Sequence, residues 1–305
     1  MDPGKDAVRR HYQESANHFR QKYSPDSGGY PAEQIRLKIL QRRLSALGTR
    51  TLLDCGCGEG TPLAEIHGGG VEVWGFDFVE EMTAQADALL VSEGVKNRVW
   101  RGDITDAASF RPEDIEMPDR FDACIALGVL PHLADEAGAL RNMAAALGEG
   151  GRVFVSFRNE LFSLFTLNRY SHEFFLGRLV DVARNHDRHP EWRGVLAEMS
   201  GELDPFFRMD LPPVRKGKAD APGYDEILSR FHNPLEMPKL FKAAGFREAE
   251  LHFYHFHALP PLFENGRADS FRALSLAMEE NPNDWRGHFM ASAFVVEAVK
   301  ESGRP

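Results

Sequence analysis

The chain is poor in cysteine. It has three, Cys55, Cys57 and Cys124, an odd count with two of them inside one glycine-rich turn. That pattern excludes a disulfide framework and fits a reducing compartment. Positive charge is also short: 36 Lys and Arg stand against 46 Asp and Glu, a formal net charge of −10. A duplex nucleic acid asks for a basic face, so no nucleic-acid partner is expected. No apolar run reaches the length that spans a bilayer, and none is expected to insert in a membrane. The opening residues, MDPGKDAVRRHYQ, are charged where a secretory leader would be apolar. Internal repeats and low-complexity tracts are absent. The expectation is a soluble cytoplasmic protein, its oligomeric state left open.

What the sequence does have is an alternation of short apolar runs and helical patterns. Residues 5–22 have helical spacing, with Val8, Tyr12, Ala16 and Phe19 on one face, and a second helix is expected over 32–47. Strands then follow at 51–55, 71–77, 97–103, 121–127 and 152–157, with helices between them at 62–66, 80–91 and 135–147. Such alternation implies a parallel sheet covered by helices on both faces. Ligands of such sheets lie at the carboxyl ends of the strands, where Asp54, Asp77, Asp103 and the residues after Leu127 fall.

The alternation stops near Arg158. Residues 158–232 are aromatic, locally basic and proline-containing, too rich in Phe and Leu for a linker, and are expected to form an inserted, mostly helical lid. The sheet pattern returns with a helix at 234–246, a strand at 248–258, a helix at 269–278 and a long final strand at 287–300. The expected organisation is a helical cap over 1–47, a core made of 48–157 and 233–300, and the lid between the two parts of the core.

The stretch LLDCGCGEG, residues 52–60, runs from a strand into a turn with Gly56, Gly58 and Gly60. Glycine adopts positive φ and lets a ligand approach the backbone. The third glycine comes one residue early for a dinucleotide fingerprint, and no G-K-[ST] follows for a P-loop. Cys55 and Cys57 have no second cysteine pair to complete a metal site and are read as small buried side chains, so no metal is expected.

In order, LLDCGCGEG, GFDF, RGDI, FDACIALGVLPHLAD and LGEGGRVFVSF resemble the class I S-adenosylmethionine-dependent methyltransferases, closely over 50–157 and more loosely over 234–300. The resemblance implies a Rossmann-like α/β fold with a seven-stranded sheet, the last strand antiparallel, and S-adenosylmethionine as cofactor. It further implies that Gly56 and Gly58 lie under the methionine part, with Asp54 ordering the turn. Asp77, with Phe78 beside it, would accept the ribose hydroxyls; Asp103 and Ile104 would border the adenine; Leu127 and Gly128 would face the sulfonium. After the fourth strand stands IALGVLPH rather than the Asn/Asp-Pro-Pro-aromatic motif of amino-methylating nucleic-acid and glutamine enzymes. The implied reaction is transfer of the methyl to an oxygen or nitrogen of a small-molecule acceptor by in-line displacement. Carbon methylation, and a regulator that binds the cofactor without turnover, are the alternatives.

Candidates on the acceptor side are fewer. In HFYHFHA, strand alternation puts His255 and His257 on one face with Phe253, as a general base or a substrate contact. Tyr12, Tyr23 and Tyr30 fall where a cap would close. Phe165, Tyr170, His172 and His232 are candidate pocket residues of the lid and its return, although lid aromatics also serve as core. Arg158, Arg169, Arg178, Arg184 and Arg188 have two readings, holding an anionic substrate or facing solvent.

Overall fold

The computed structural model describes Tyr23 and residues 29–181, 184, 187–188, 190–212 and 229–302. The helix expected over 5–22, Tyr12 with it, and part of the lid lie outside the described residues. Seven strands form one sheet: β1 (Thr51–Cys55), β2 (Glu72–Asp77), β3 (Val99–Arg101), β4 (Phe121–Ala126), β5 (Leu147–Arg158), β6 (Phe246–Phe256) and β7 (Ala291–Lys300), in the order β3-β2-β1-β4-β5-β7-β6. The first five run parallel, and β7 pairs antiparallel with both β5 and β6. Parallel strands carry helical crossovers on both faces, which is why they read as continuous apolar runs. Along β1, Leu53 and Cys55 pack on one face with Trp74, Phe76 and Cys124, and Leu52 packs on the other with Val73, Ala123 and Ile125. The second face also receives the helix Ala32–Ala46 through Leu37, Leu40 and Leu44.

The chain order reverses between β1 and β4, because β2 and β3 lie to one side of β1 and all later strands to the other. Neighbouring crossovers diverge at such a point and leave a crevice beyond the strand ends.

Two expectations are corrected. The final strand begins at Ala291, not Gly287, because residues Gly287–Met290 form a helical turn. Gly287 presses so closely on the Phe253 ring that a Cβ there would collide with it. The Asn159 amide donates to the carbonyls of Gly287, His288 and Ala291, satisfying the turn without a sheet partner. β5, expected over 152–157, begins at Leu147 and takes up the glycine-rich GEGG segment through a register shift against β4.

The described part of the insertion is helical in pieces: Ser163–Thr166, Arg169–Phe174, a wide turn at Phe175–Leu179, and Arg193–Leu203. Its two ends meet. His232 N–H donates to the Arg158 carbonyl (2.8 Å) and Glu160 N–H to the His232 carbonyl (2.9 Å).

Candidate functional site

A cavity of about 720 Å³ opens at the carboxyl ends of β1, β2 and β4 and extends under the insertion. Its floor is the turn after β1. Gly56 has φ 110° and Gly58 φ 55°. A Cβ on Gly56 would strike Val129, whereas one on Gly58 would meet nothing within 4 Å. The first glycine is therefore required by packing, and the second leaves bare backbone facing open space. β2 ties down the turn: Asp77 Oδ2 accepts from Gly58 N–H (2.9 Å) and Oδ1 from Val79 N–H (2.8 Å). Each oxygen keeps a lone pair for a further donor. Burial pushes the Asp77 carboxyl up, and the backbone N–H groups of Val79, Gly58 and Phe78 pull it back.

Asp54 is buried at 1% exposure, and its Oδ1 has no hydrogen-bond partner. Burial and the nearby Asp77 charge push its carboxyl up to about 8, with Arg36 opposing them. Arg36 also lines the cavity. Its Nη2 donates to the Tyr23 hydroxyl (2.8 Å), and its Nε is buried without a partner. Burial works against its charge but is outweighed by the Tyr23 and Tyr254 phenols and Glu33, so it remains a guanidinium. Both residues line the cavity, and each has a buried polar atom, Asp54 Oδ1 and Arg36 Nε, without a hydrogen-bond partner.

Phe78, Gly102, Asp103, Ile104, Leu127 and Gly128 complete this half of the wall. Asp103 Oδ1 accepts from the Thr105 amide (2.9 Å) and hydroxyl (2.7 Å). Gly128 N–H donates to the Ser156 hydroxyl (2.8 Å), so that amide is already engaged.

The other half is built from the insertion, from β6 and from the start of β7. Phe162, Tyr170, Phe231 and Tyr254 supply aromatic surface, and Ser163, Thr166, Asn168 and Ser292 supply small polar groups. His255 reaches the cavity through a break in alternation: it has φ 59°, unusual for a residue with a side chain. Its ring lies between Tyr30 and His257, with centroids 4.8 Å from each. Neither ring nitrogen bonds to any of the described residues, and burial pushes the imidazole down to about 4. His257 stands behind it. Its Nδ1 lies 3.1 Å from the His255 carbonyl, which can only accept, so Nδ1 carries the proton. Burial, with His255 beside it, pushes His257 down to about 3.

Of the residues singled out from the sequence, all nine on the cofactor side line this one cavity, as do Tyr23, Tyr170 and His255. Tyr30, Phe165, His172, His232 and His257 do not. Tyr30 donates to Glu279 (2.5 Å). His172 Nε2 lies 2.9 Å from Asp204 Oδ1. His232 Nε2 lies 3.0 Å from both oxygens of Glu136. Phe165 packs on Phe162, its ring 6.3 Å away. Among the five arginines, Arg158 alone lines the cavity, whereas Arg178 pairs with Glu160 (2.7 Å) and half its side chain is in solvent. Arg36 and Phe162 were missed. A lone cation between Ile35 and Leu37, on the helix that precedes the first strand, was the signal available for Arg36.

The model of a family described as "Methyltransferase domain" matches residues 8–250. A ubiquinone biosynthesis O-methyltransferase from Xanthomonas euvesicatoria pv. vesicatoria is 26% identical over 171 residues, covering 56% of this chain and 68% of that protein. One from Aeromonas salmonicida is 29% identical over 122 residues, covering 40% of this chain and 49% of that protein. The chain thus spans between half and two thirds of these curated relatives. Among solved structures, magnesium protoporphyrin IX methyltransferase from Synechocystis PCC 6803 with bound SAH is similar, with a TM-score of 0.54 at 15% identity over 97% of this chain and 100% of that one. A possible histamine N-methyltransferase from Thermotoga maritima has a TM-score of 0.50 at 15% identity, over 95% and 98%. At these identities the structural likeness is one of fold.

Proposed function

The chain belongs to the methyltransferase-domain family, and from that premise we propose that it transfers a methyl group from S-adenosylmethionine to a hydroxyl oxygen of a small aromatic acceptor. The observation that carries this reading is one continuous cavity with Asp54 and Arg36 at one end, each with a buried polar atom that has no partner, and at the other the imidazole of His255, which bonds to none of the described residues.

The residues present fit the cofactor. Arg36 Nε suits its carboxylate and Asp54 Oδ1 its ammonium, and the open space over Gly58 leaves room for the chain between them. Asp77 retains lone pairs for a vicinal diol, and Phe78, Asp103 and Ile104 border a slot for a flat base. When bound, the cofactor supplies an electrophilic methyl on a sulfonium.

The chain's own work is orientation, exclusion of water and reception of one proton. Phe162, Tyr170, Phe231 and Tyr254 hold a planar acceptor, and the described elements of the 158–232 insertion act as the lid over it. His255 accepts a hydrogen bond from the acceptor hydroxyl. That hydroxyl becomes strongly acidic as its oxygen gains the new bond to carbon, so even a weakly basic imidazole takes its proton. The proton released by the acceptor hydroxyl is held on the His255 imidazole, which carries one positive charge after transfer. Burial, which would oppose an isolated imidazolium, also keeps the ring neutral before transfer.

Oxygen is favoured over nitrogen by the placement of acids. Among the described residues, the acids of the wall, Glu33, Asp54, Glu59, Asp77 and Asp103, come from the N-terminal helix or the β1–β3 side, and none comes from the insertion or β6. An ammonium acceptor would lack a counter-charge there. The test is incubation with labelled S-adenosylmethionine and either catechol or benzylamine. Methylated oxygen on catechol is expected. Transfer to benzylamine alone overturns the oxygen reading, and cofactor binding with no transfer to any acceptor of a wider phenol panel favours a regulator.

A further inference from the structure

The kink that brings His255 into the cavity is held from outside by one face of a helix. Along Ala268–Met278 and the residue that follows it, Phe271, Ser275 and Glu279 recur every fourth position and share that face. All three touch the last residue of β6 or one of the two that follow it. The Phe271 ring packs against His257, centroids 5.9 Å apart. The Ser275 hydroxyl accepts from Ala258 N–H (3.0 Å). Glu279 Oε1 accepts from Phe256 N–H (2.8 Å) and from the Tyr30 hydroxyl (2.5 Å). Tyr30 in turn lies flat on His255, with 22° between the ring planes.

We infer that Glu279 is a positioning residue for His255, acting through the backbone of the kink and through the Tyr30 ring, so that the unbonded edge of the imidazole faces the acceptor. The inference rests on the proposed role of His255 as proton acceptor. A residue at φ 59° sits in a sparsely populated region that persists only where its surroundings over-determine it. Here they do. Glu279 fixes the next amide, and the His257 Nδ1–H and the Ser292 hydroxyl both reach the His255 carbonyl, at 3.1 and 3.4 Å. Tyr30 stacks on the imidazole and the His257 ring packs against it at a tilt of 32°, which restricts how the ring can turn. Neither Glu279 nor Tyr30 lines the cavity, so the pair does not touch what the cavity holds.

The test uses the full chain with ¹⁵N-labelled histidine and bound SAH, comparing wild type with Glu279→Ala, Glu279→Gln, Glu279→Asp and Tyr30→Phe. In wild type the His255 ring should give one sharp set of nitrogen signals, of a single neutral tautomer. Glu279→Ala should broaden or shift them. It should also lower kcat toward catechol by about tenfold or more, as loss of orientation does, while SAH affinity stays within about twofold. Glu279→Gln, whose amide oxygen accepts the same two hydrogen bonds, should restore signals and turnover. Unchanged His255 signals in Glu279→Ala, or a Glu279→Gln variant as impaired as Glu279→Ala, overturns the inference. Should Glu279→Ala not fold, Glu279→Gln and Glu279→Asp decide by the same signals: Glu279→Asp, whose shorter side chain draws the oxygen away from Phe256 N–H, should shift them, and unchanged signals there overturn the inference, whereas unchanged signals in Tyr30→Phe contradict the Tyr30 route. A His255→Ala variant with full turnover contradicts the proton-acceptor role alone, and the nitrogen spectra still report whether Glu279 holds the ring.

Discussion

Tyr254 and His255 are neighbours in the chain, yet both line the same cavity. A regular strand would send them to opposite faces. The positive φ at His255 removes that constraint and lets one strand end supply both an aromatic wall and an imidazole.

If that imidazole is the proton acceptor, the pH dependence distinguishes the acceptor atom. Burial holds His255 down at about 4, so it is neutral throughout the physiological range and protonates only as pH falls through about 4. With a phenol acceptor, kcat/KM should be level between about pH 6 and 8. An amine acceptor would give a rate that climbs over that range as its ammonium deprotonates. Steady-state kinetics across pH checks this, and His255→Ala should lower kcat at least about 100-fold with cofactor affinity retained.

Asp54 makes cofactor affinity pH-dependent. Its carboxyl is pushed up to about 8, and an α-amino group titrates near 7.7–8.0. The bound pair shares one proton fewer than the two groups hold at low pH, and one more than they hold at high pH. Affinity for SAH should therefore rise toward about pH 8 and fall beyond it. Asp54→Asn should abolish the acid limb. Calorimetric titration at several pH values measures both limbs.

A separate set of charges governs stability. Glu297 on β7 is fully buried and bonded to Arg43 Nε (2.6 Å), Arg152 Nη1 (2.7 Å) and His252 Nε2 (3.1 Å). Glu250 and His252 lie close enough to suggest a metal site with Glu297, but the two guanidinium groups supply the compensating charge. Burial pushes the Glu297 carboxyl up, and His252 and Arg43 overcome it and hold the group at about 2, below its ordinary 4.5. A depressed acid stabilises fully above its unfolded value, and the contribution is lost as pH falls from about 4.5 toward 2. Glu297→Ala leaves two cations facing a buried gap and should cost about 3–5 kcal/mol, read by denaturant unfolding.

The parallel core was legible because its signals are local. Apolar runs marked the strands, the acids Asp54, Asp77 and Asp103 marked their ends, and the resemblance carried by the ordered motifs implied which of these residues face the cofactor. The acceptor half depends on tertiary contacts that local patterns do not carry. Alternation grouped His255 with His257, and their rings do touch, but only His255 lines the cavity. His172 and His232 looked like pocket residues because histidine suits pockets, but each is drawn to a distant acid, Asp204 or Glu136. Glu279 attracted no notice because its partners, Tyr30 and Phe256, are far from it in sequence or bonded through the backbone.

The most direct measurement is calorimetric titration of SAH into wild type and Asp77→Ala. One-to-one binding to wild type is expected, with a loss of roughly 1.5–3 kcal/mol in the variant, as when charge-assisted hydrogen bonds to a diol are removed. Absence of binding to wild type, or equal affinity in the two proteins, would contradict that expectation.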